Sequence, residues 1–426
     1  MHLWNFPEIP QAPGTNSRRN GTNAGCEAVK EDMTHSHNPH REHNSSDSFF
    51  DPWLSAIPLV NSPSNIIATI PGTLGYYPQE SVLLIGLVPD EDHPHTPVLG
   101  PVLRADLVHA HHIRETIVTH LNGACLMYFA VIVTRIPDSD SARTAIEELD
   151  SLQCAGGHPL INVCWHVSEI AQGTPYRMIF GPEVDPDCSE WERGIVGSVI
   201  ASPAMQAMRD NGTLPALTRE DTFAFFDCVK DCCTNQKVVK KTQALTAAAR
   251  KESDELCRKL DRHEPGAADV VRAAASALRN VKPLPLVGDD AHPTLDEVFT
   301  DEPELRALLV SLNRAPLRDC LIGQAIDHPE TAATALITVA RNFRGVIRAN
   351  ALSLWALVAI SRGLSSWAST ALTCAQEEMP QHSMSAICLQ VMATGQQQQL
   401  VTTILDGCEV ACAALLAREG EGEQAA

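Results

Sequence analysis

The side chains whose types and spacing suit chemistry sit around Glu80, Ser81, Arg104 and Asp106. Arg104 and Asp106 stand two apart in VLGPVLRADL (98–107), and on a strand residues two apart share a face. With Glu80 and Ser81 ending a neighbouring loop, the four would line a pocket at one edge of a sheet, the usual ligand position in open α/β folds. The competing expectation is a structural ion pair anchoring the loop to the next strand. A buried Arg and a buried Asp each need a partner to offset lost hydration.

A second constellation is His109, His111 and His112, with His120 further on. On one continuous helix, positions 109 and 112 share a face while 111 points elsewhere, so a metal centre there needs a third ligand such as His120. His93 and His95, in a Pro-bounded loop, are further donors, and HSHNPHREH supplies His35, His37, His40 and His43 as flexible imidazoles. The plainer expectation for each group is a solvated polar segment. Cys228, Cys232 and Cys233, and separately Cys408 and Cys412, fall about one helical turn apart, which suits a shared metal or, more simply, small apolar residues at helix contacts. Gly72-Thr-Leu-Gly75 and Gly194-Ile-Val-Gly197-Ser198 invite a phosphate reading, since amides exposed at Gly cradle anions. The first leads into a strand, and neither carries the Lys-Ser/Thr of a P-loop or the third Gly of a dinucleotide fingerprint. GxSxG, HExxH and kinase signatures are absent too, and no cofactor is expected.

Composition narrows the classes further. A length of 426 residues exceeds one ordinary core and suits two domains. Hydrophobic residues at 44% and charged residues at 20% are ordinary for a folded soluble chain, and an aromatic share of 5% favours small-residue helix packing over stacking platforms. A formal charge of −20 repels phosphate backbones and anionic lipid, which argues against nucleic acid and membrane surfaces as partners. The 14 cysteines are scattered, form no CxxC pair and sit mostly in apolar runs. The start, MHLWNFPEIPQAPG, has neither the basic nor the apolar region of an export signal, and no stretch is long enough to span a bilayer. A cytoplasmic location with reduced thiols is therefore expected, with Met33 as an alternative start.

The elements that must position these residues are organised around IIATIPGTLGYYPQESVLLIGL (66–87). Val82 to Leu87 holds only aliphatic side chains and one Gly, which predicts a strand buried on both faces. Asn65 is the expected cap of a short helix that Pro71 stops. Further strands are expected over 98–107, 124–136, 160–170 and 176–180, with helices over 108–121 and from Ser139 or Ser141 to about Cys154. This alternation predicts an α/β N-terminal domain with a mainly parallel or mixed sheet. From Trp191 onward only helical periods occur, predicting an all-α helical C-terminal domain. The expected organisation is a disordered tail (1–50), an α/β domain (51–190), a helical extension (191–282), a linker (283–293), a helical-hairpin domain (294–418) and a frayed tail (419–426). Ala356, Ala359, Ala368, Leu372, Ala375 and Pro380, with Gly363 in the turn, fit a single tetratricopeptide-like helix pair without further copies. Lys237 to Arg262 is locally basic and suits pairing with the acidic stretch 289–304.

Five segments together resemble the domain of unknown function 4192 family of high-GC Gram-positive bacteria. They are 66–87, VLRADL (102–107), the strand before Thr134, SPAMQAMRDNGTLPALTREDTF (202–223) and RANALSLWALVAISRGLSSWASTALTCAQEEMP (348–380). The likeness covers roughly residues 64–395, and its most specific parts are PxxLGYxPxxSxxL and RxDL. It implies a soluble bacterial protein with an α/β front, a helical back and no established activity. Many members carry a Trp-, Tyr- and Cys-rich stretch ending in a CCP-like motif; here that region reads EIAQGTPYRMIFGPEVDPDC with only Cys188, so no paired-thiol role carries over.

Two functional classes follow. One is a non-enzymatic interaction, scaffold or regulatory protein whose helical C-terminal half docks a protein partner. The other is an enzyme or small-molecule-binding protein with a site near Ser81, Arg104 and Asp106. An open pocket holding those side chains unpaired favours the second; a closed Arg104–Asp106 pair in a filled core favours the first.

Overall fold

The structure, a computed structural model, describes residues 62–89, 97–120, 125, 127–154, 157–184, 186–229, 234–287, 293–393 and 395–424. The expected tail over 1–50 with its four histidines, His93, His95, Cys232 and Cys233 lie outside these residues, as does the side chain of His120.

The strands are β1 (Ser81–Pro89), β2 (Pro97–Asp106), β3 (Met127–Val133), β4 (Ile161–Val167), β5 (Pro175–Phe180) and β6 (Arg193–Ile195). They form a sheet of order β2-β1-β3-β4-β5-β6. Of the two sheet types expected, it is the mixed one. Among the described strands only β3 and β4 run parallel, and the other neighbours pair antiparallel. The helices α1 (Pro63–Leu74), α2 (His112–His120) and α3 (Asp140–Asp150) cover its faces.

The unbroken aliphatic run of β1 follows from this layering. Leu83, Ile85 and Leu87 face a core shared with Ile66, Ile67 and Ile70 of α1, while Val82 and Leu84 face Ile113 and Ile117 of α2 and Ala145 and Leu149 of α3. β3 divides the same way, Phe129, Val131 and Val133 to one side and Tyr128, Ala130 and Ile132 to the other. A strand wetted on neither face has no polar alternation to show, and each such side chain contributes about 1.5–3 kcal/mol of burial. Between Tyr128 and Phe129 of β3 the register with β4 shifts by one, and Asn162 of β4 fills the irregularity by accepting the Tyr128 amide on Oδ1 at 3.0 Å.

Several local expectations are corrected. Ser62, not Asn65, caps α1: its side chain accepts the Asn65 amide, and Pro71 sits inside the helix, which runs on to Leu74 and ends at Gly75 with φ 82°. Proline costs the helix one hydrogen bond near its end, which buried Ile66, Ile67 and Ile70 offset by packing. The expected helix over 108–121 is two pieces, a 3-10 turn at Leu107–His109 and then α2. β6, three residues long, interrupts what the sequence predicts as purely helical. It carries no apolar period and exists by pairing with β5.

Beyond the sheet the chain is helical, and α4 (Gln206–Asp210), α5 (Arg219–Ala224), α6 (Gln236–Asp261), α7 (Ala267–Arg279), α8 (Leu295–Val298), α9 (Glu302–Leu312), α10 (Ala315–Asp319) and α11 (Ile322–Asp327) lead to α12 (Pro329–Asn342), α13 (Gly345–Ser361), α14 (Ser365–Glu378), α15 (Ser383–Ala393) and α16 (Gln397–Gln424). α13 is buried from Ile347 to Ile360 on every face, which places it at the centre, with α12 and α14 packed against it. The α13–α14 pair is the hairpin expected from the small-residue pattern, turned at Gly363 with φ 76°. α16 continues to Gln424, past the point where the polar tail was expected to fray. The basic α6 meets the acidic stretch through Lys241 Nζ, 2.6 Å from Asp296.

Candidate functional site

The end of the sheet where β1 begins and β2, β3 and β4 finish gathers the residues singled out by type and spacing. Ser81 starts β1 opposite Asp106 on one side and Val133 on the other, so the N-terminus of one strand meets the C-termini of two neighbours. Ser81 is fully buried, and its hydroxyl donates to the Gln79 carbonyl at 2.6 Å. Arg104 Nε donates to Ser81 Oγ at 2.9 Å. The same guanidinium pairs with Asp106 at 2.5 Å, with the Arg104 side chain 17% exposed and Asp106 51% exposed. The Arg104–Asp106 pair is therefore closed, as one of the two readings required, but it stands at a half-open rim and not in a filled core.

Glu80 is held on the opposite side of this junction. Its backbone takes a left-handed φ of 41°, its carbonyl accepts the Leu107 amide at 3.1 Å, and its carboxylate accepts Thr134 Oγ1 at 2.6 Å and the Arg135 amide at 3.2 Å. His166 Nε2 lies 3.0 Å from the Thr134 carbonyl, which only the N–H form of that nitrogen can bond. One carboxylate thus ties the loop before β1 to the ends of β3 and, through Thr134, β4.

A cleft of about 400 Å³ opens beside these groups, lined by Glu80, Asp106, Leu107, Val108, Ile136, Ser139 and Ser141. Val108 and Ile136 are 62% and 64% exposed, so the lining is partly aliphatic as well as polar. Ser139 also caps α3, accepting the Ala142 amide at 3.2 Å. A smaller hollow of about 70 Å³ lies on the other side of Arg104, bounded by Tyr76, Tyr77, Gln79, Thr218, Arg219 and Glu220. Burial pushes the Tyr76 hydroxyl above its usual range, and the Arg104 charge works against that shift. Thr134, Ile136, Ser139 and Ser141 were not singled out in the sequence as site residues, Ser139 and Ser141 being named only as helix starts. The signal that points to them is positional: they follow the C-terminal end of a strand and open a helix, where α/β folds put their ligands.

The other constellations are placed differently. His109 closes the 3-10 turn and His112 opens α2, with ring centroids 6.0 Å apart, and the His111 ring lies tilted by 41° with its centroid 4.0 Å from that of His112. Among the described residues, no group of three or more His, Cys, Asp and Glu could hold a metal ion. The glycine segments are filled by protein. A side chain at Gly72 would meet the Ala204 backbone at 2.7 Å, one at Gly75 would meet Ser366 Oγ at 2.7 Å, and one at Gly194 would meet Tyr176 Oη at 2.5 Å. These glycines allow close approach of chain to chain and leave no cradle for phosphate.

The loop between α1 and β1 is also tied to the helical part. The Tyr77 amide donates to the Ala216 carbonyl at 3.0 Å, and the Ala216 amide donates to Gly75 at 2.8 Å. Fold and site together define an α/β sheet protein with a helical C-terminal body, a clamped loop at the joint and an open cleft at the sheet end. The model of the family described as Domain of unknown function (DUF4192) matches residues 63–398, and the chain belongs to that family. No curated protein and no solved structure matches it. Among the described residues, no helix is long and apolar enough to cross a membrane.

Proposed function

We propose that this is a non-enzymatic binding protein whose sheet-end cleft takes a small amphipathic ligand carrying a positive charge, and whose helical part serves a regulatory or scaffolding contact with a protein partner. The observation that carries the reading is the engagement of the charged groups around the cleft: Arg104 is held by Ser81 and Asp106, and Glu80 by Thr134 and the Arg135 amide. Groups fixed in this way set shape and potential and are poorly placed to exchange protons in a reaction. Two carboxylates line the cleft, no basic side chain among the described residues does, and Val108 and Ile136 offer aliphatic contact, which suits an amine with an apolar body. Ile387 and Val410, 57% and 70% exposed on α15 and α16, support a contact surface on the helical part. A cytoplasmic setting belongs to the same proposal and is supported by Cys154, Cys164, Cys320 and other free thiols.

The enzyme reading keeps one observation in its favour, the position of the cleft at the C-terminal ends of β2 and β3. A thermal-shift panel of aliphatic and aromatic amines, each incubated with the protein and then checked for turnover by mass spectrometry, separates the two. Binding without turnover, lost in Ile136→Lys and kept in Ile195→Lys on the distant exposed β6, is the expected result. Conversion of any bound compound would overturn the non-enzymatic reading, and equal binding by Ile136→Lys would move the site elsewhere.

A further inference from the structure

Three thiols meet within the helical body. Cys320 follows α10 directly, and Cys408 and Cys412 stand one turn apart on α16. The Cys412 thiol hydrogen-bonds with both Cys320 and Cys408. Cys408 is further held by the Ile322 and Gly323 amides, and Cys320 Sγ donates to the Pro316 carbonyl at 3.4 Å. Cys320 and Cys408 are buried, whereas Cys412 is half-buried and so is the most exposed residue of the three. Spacing along the sequence shows only the 408–412 pair; the fold brings the third thiol from almost a hundred residues away.

Among the described residues no such group is arranged for a metal, and the chemistry left to neighbouring thiols is joining by oxidation. We propose that Cys412 and Cys320 form a reversible disulfide that ties α16 to the α10–α11 corner when the protein meets a peroxide. The Cys412 thiolate attacks one peroxide oxygen; the O–O bond breaks, hydroxide leaves and takes a proton to become water, and the sulfur is left as a sulfenic acid. The Cys320 sulfur then attacks Cys412 sulfur; the S–S bond forms, the S–O bond breaks and a second water departs with the Cys320 proton. Two thiols are oxidised and one peroxide is reduced to two waters. Cys408, in contact with Cys412, is the thiol placed to open the bond again by exchange.

Burial pushes Cys412 up to about 12 and Cys408 up to about 11, so little thiolate is present near neutrality. The lock therefore closes slowly, and its rate rises about tenfold for each pH unit below those values. It suits sustained oxidative exposure and not a rapid signal.

The test uses the full chain, reduced, exposed to hydrogen peroxide at about pH 7 and about pH 9, quenched with N-ethylmaleimide, digested and mapped by mass spectrometry. The expected product is a peptide pair joined through Cys320 and Cys412, forming faster at the higher pH and released by dithiothreitol. Cys408→Ser keeps this cross-link, and the double variant Cys320→Ser/Cys408→Ser, with no neighbouring thiol left, stops at a dimedone-reactive sulfenic acid on Cys412. Recovery of Cys320 and Cys412 as maleimide adducts while other cysteines have oxidised would overturn the proposal, as would a cross-link confined to other pairs. If the double variant does not fold, the map of the unmodified chain decides alone.

Discussion

Acid should loosen the helical body through one buried imidazole. His382, 7% exposed, sits in the turn before α15. Its Nδ1 lies 2.8 Å from Ser385 Oγ and accepts the Ser385 amide at 3.3 Å, and its Nε2 lies 2.8 Å from Asn350 Oδ1. An amide proton on one side and a carbonyl oxygen on the other fix the neutral ring with the hydrogen on Nε2. Asn350 Oδ1 also accepts Arg318 at 2.6 Å, and Asn350 Nδ2 donates to the Leu312 carbonyl at 2.7 Å, so the ring joins α9, α10, α13 and α15. Burial first, and the Arg318 charge second, push its pKa from 6.5 down to about 4. Between those values the unfolded chain holds a proton that the folded chain refuses, so stability is complete above the unfolded pKa and falls as pH drops through the window. The loss is about 2 kcal/mol near pH 5 and about 3 kcal/mol near pH 4. Urea unfolding at a series of pH values, with His382→Gln as reference, cancels the carboxylates common to both chains. The native protein should lose about 2 kcal/mol more than the variant between about pH 7.5 and about pH 5. Parallel pH profiles would show that His382 titrates normally in the fold and would refute the reasoning.

Other outcomes follow from the joints of the fold. Arg104→Ala should destabilise by about 2–3 kcal/mol, since it strips Asp106 of its ion pair and Ser81 of a donor, and an unchanged melting temperature would remove the structural role of this Arg. Glu378→Gln should cost about 2–4 kcal/mol in urea titration, because Glu378 Oε2 lies 3.2 Å from the guanidinium of buried Arg348 and Oε1 accepts the Gly345 amide at 2.6 Å. Gly75→Ala should cost more than Gly157→Ala in melting temperature: both glycines have positive φ, but only at Gly75 does the added carbon meet a neighbour, Ser366 Oγ at 2.7 Å. Equal losses would mean that backbone conformation alone, about 1 kcal/mol, sets the cost.

What was legible in the sequence was whatever a local pattern determines. Val82 to Leu87 had to be water-free on both faces, and it is. The change from layered to helical organisation followed from the loss of β-branched runs after Phe180, and α13 and α14 fell where small residues interlock. What local pattern does not determine is the choice of partner. Strands and helices alternate in both a parallel and a mixed sheet, and here β2 folds back along β1 and β5 along β4. Ser62 and Asn65 are both good caps, and it is Ser62 whose side chain accepts a first-turn amide, that of Asn65 itself. The Glu80–Thr134 contact spans 54 positions and the Cys320–Cys412 contact more, so neither leaves a mark on spacing.

The residues that carry the family resemblance turn out to share one mechanical task. In PxxLGYxPxxSxxL, Gly75 ends α1 against Ser366 of α14, Tyr76 bridges to Ala216, and Ser81 receives Arg104 of the RxDL pair. Gly72, three residues before Gly75, lets α1 touch the Ala204 backbone. Each contact joins the sheet to itself or to the helical body, so these motifs specify how the two parts are coupled. A ligand in the adjacent cleft would press on Asp106 and Glu80, both of which are bonded into that coupling. If the proposed ligand binds at the sheet end, its route to the helices runs through Arg104 and Ser81 to the loop, and from Gly75 to α14.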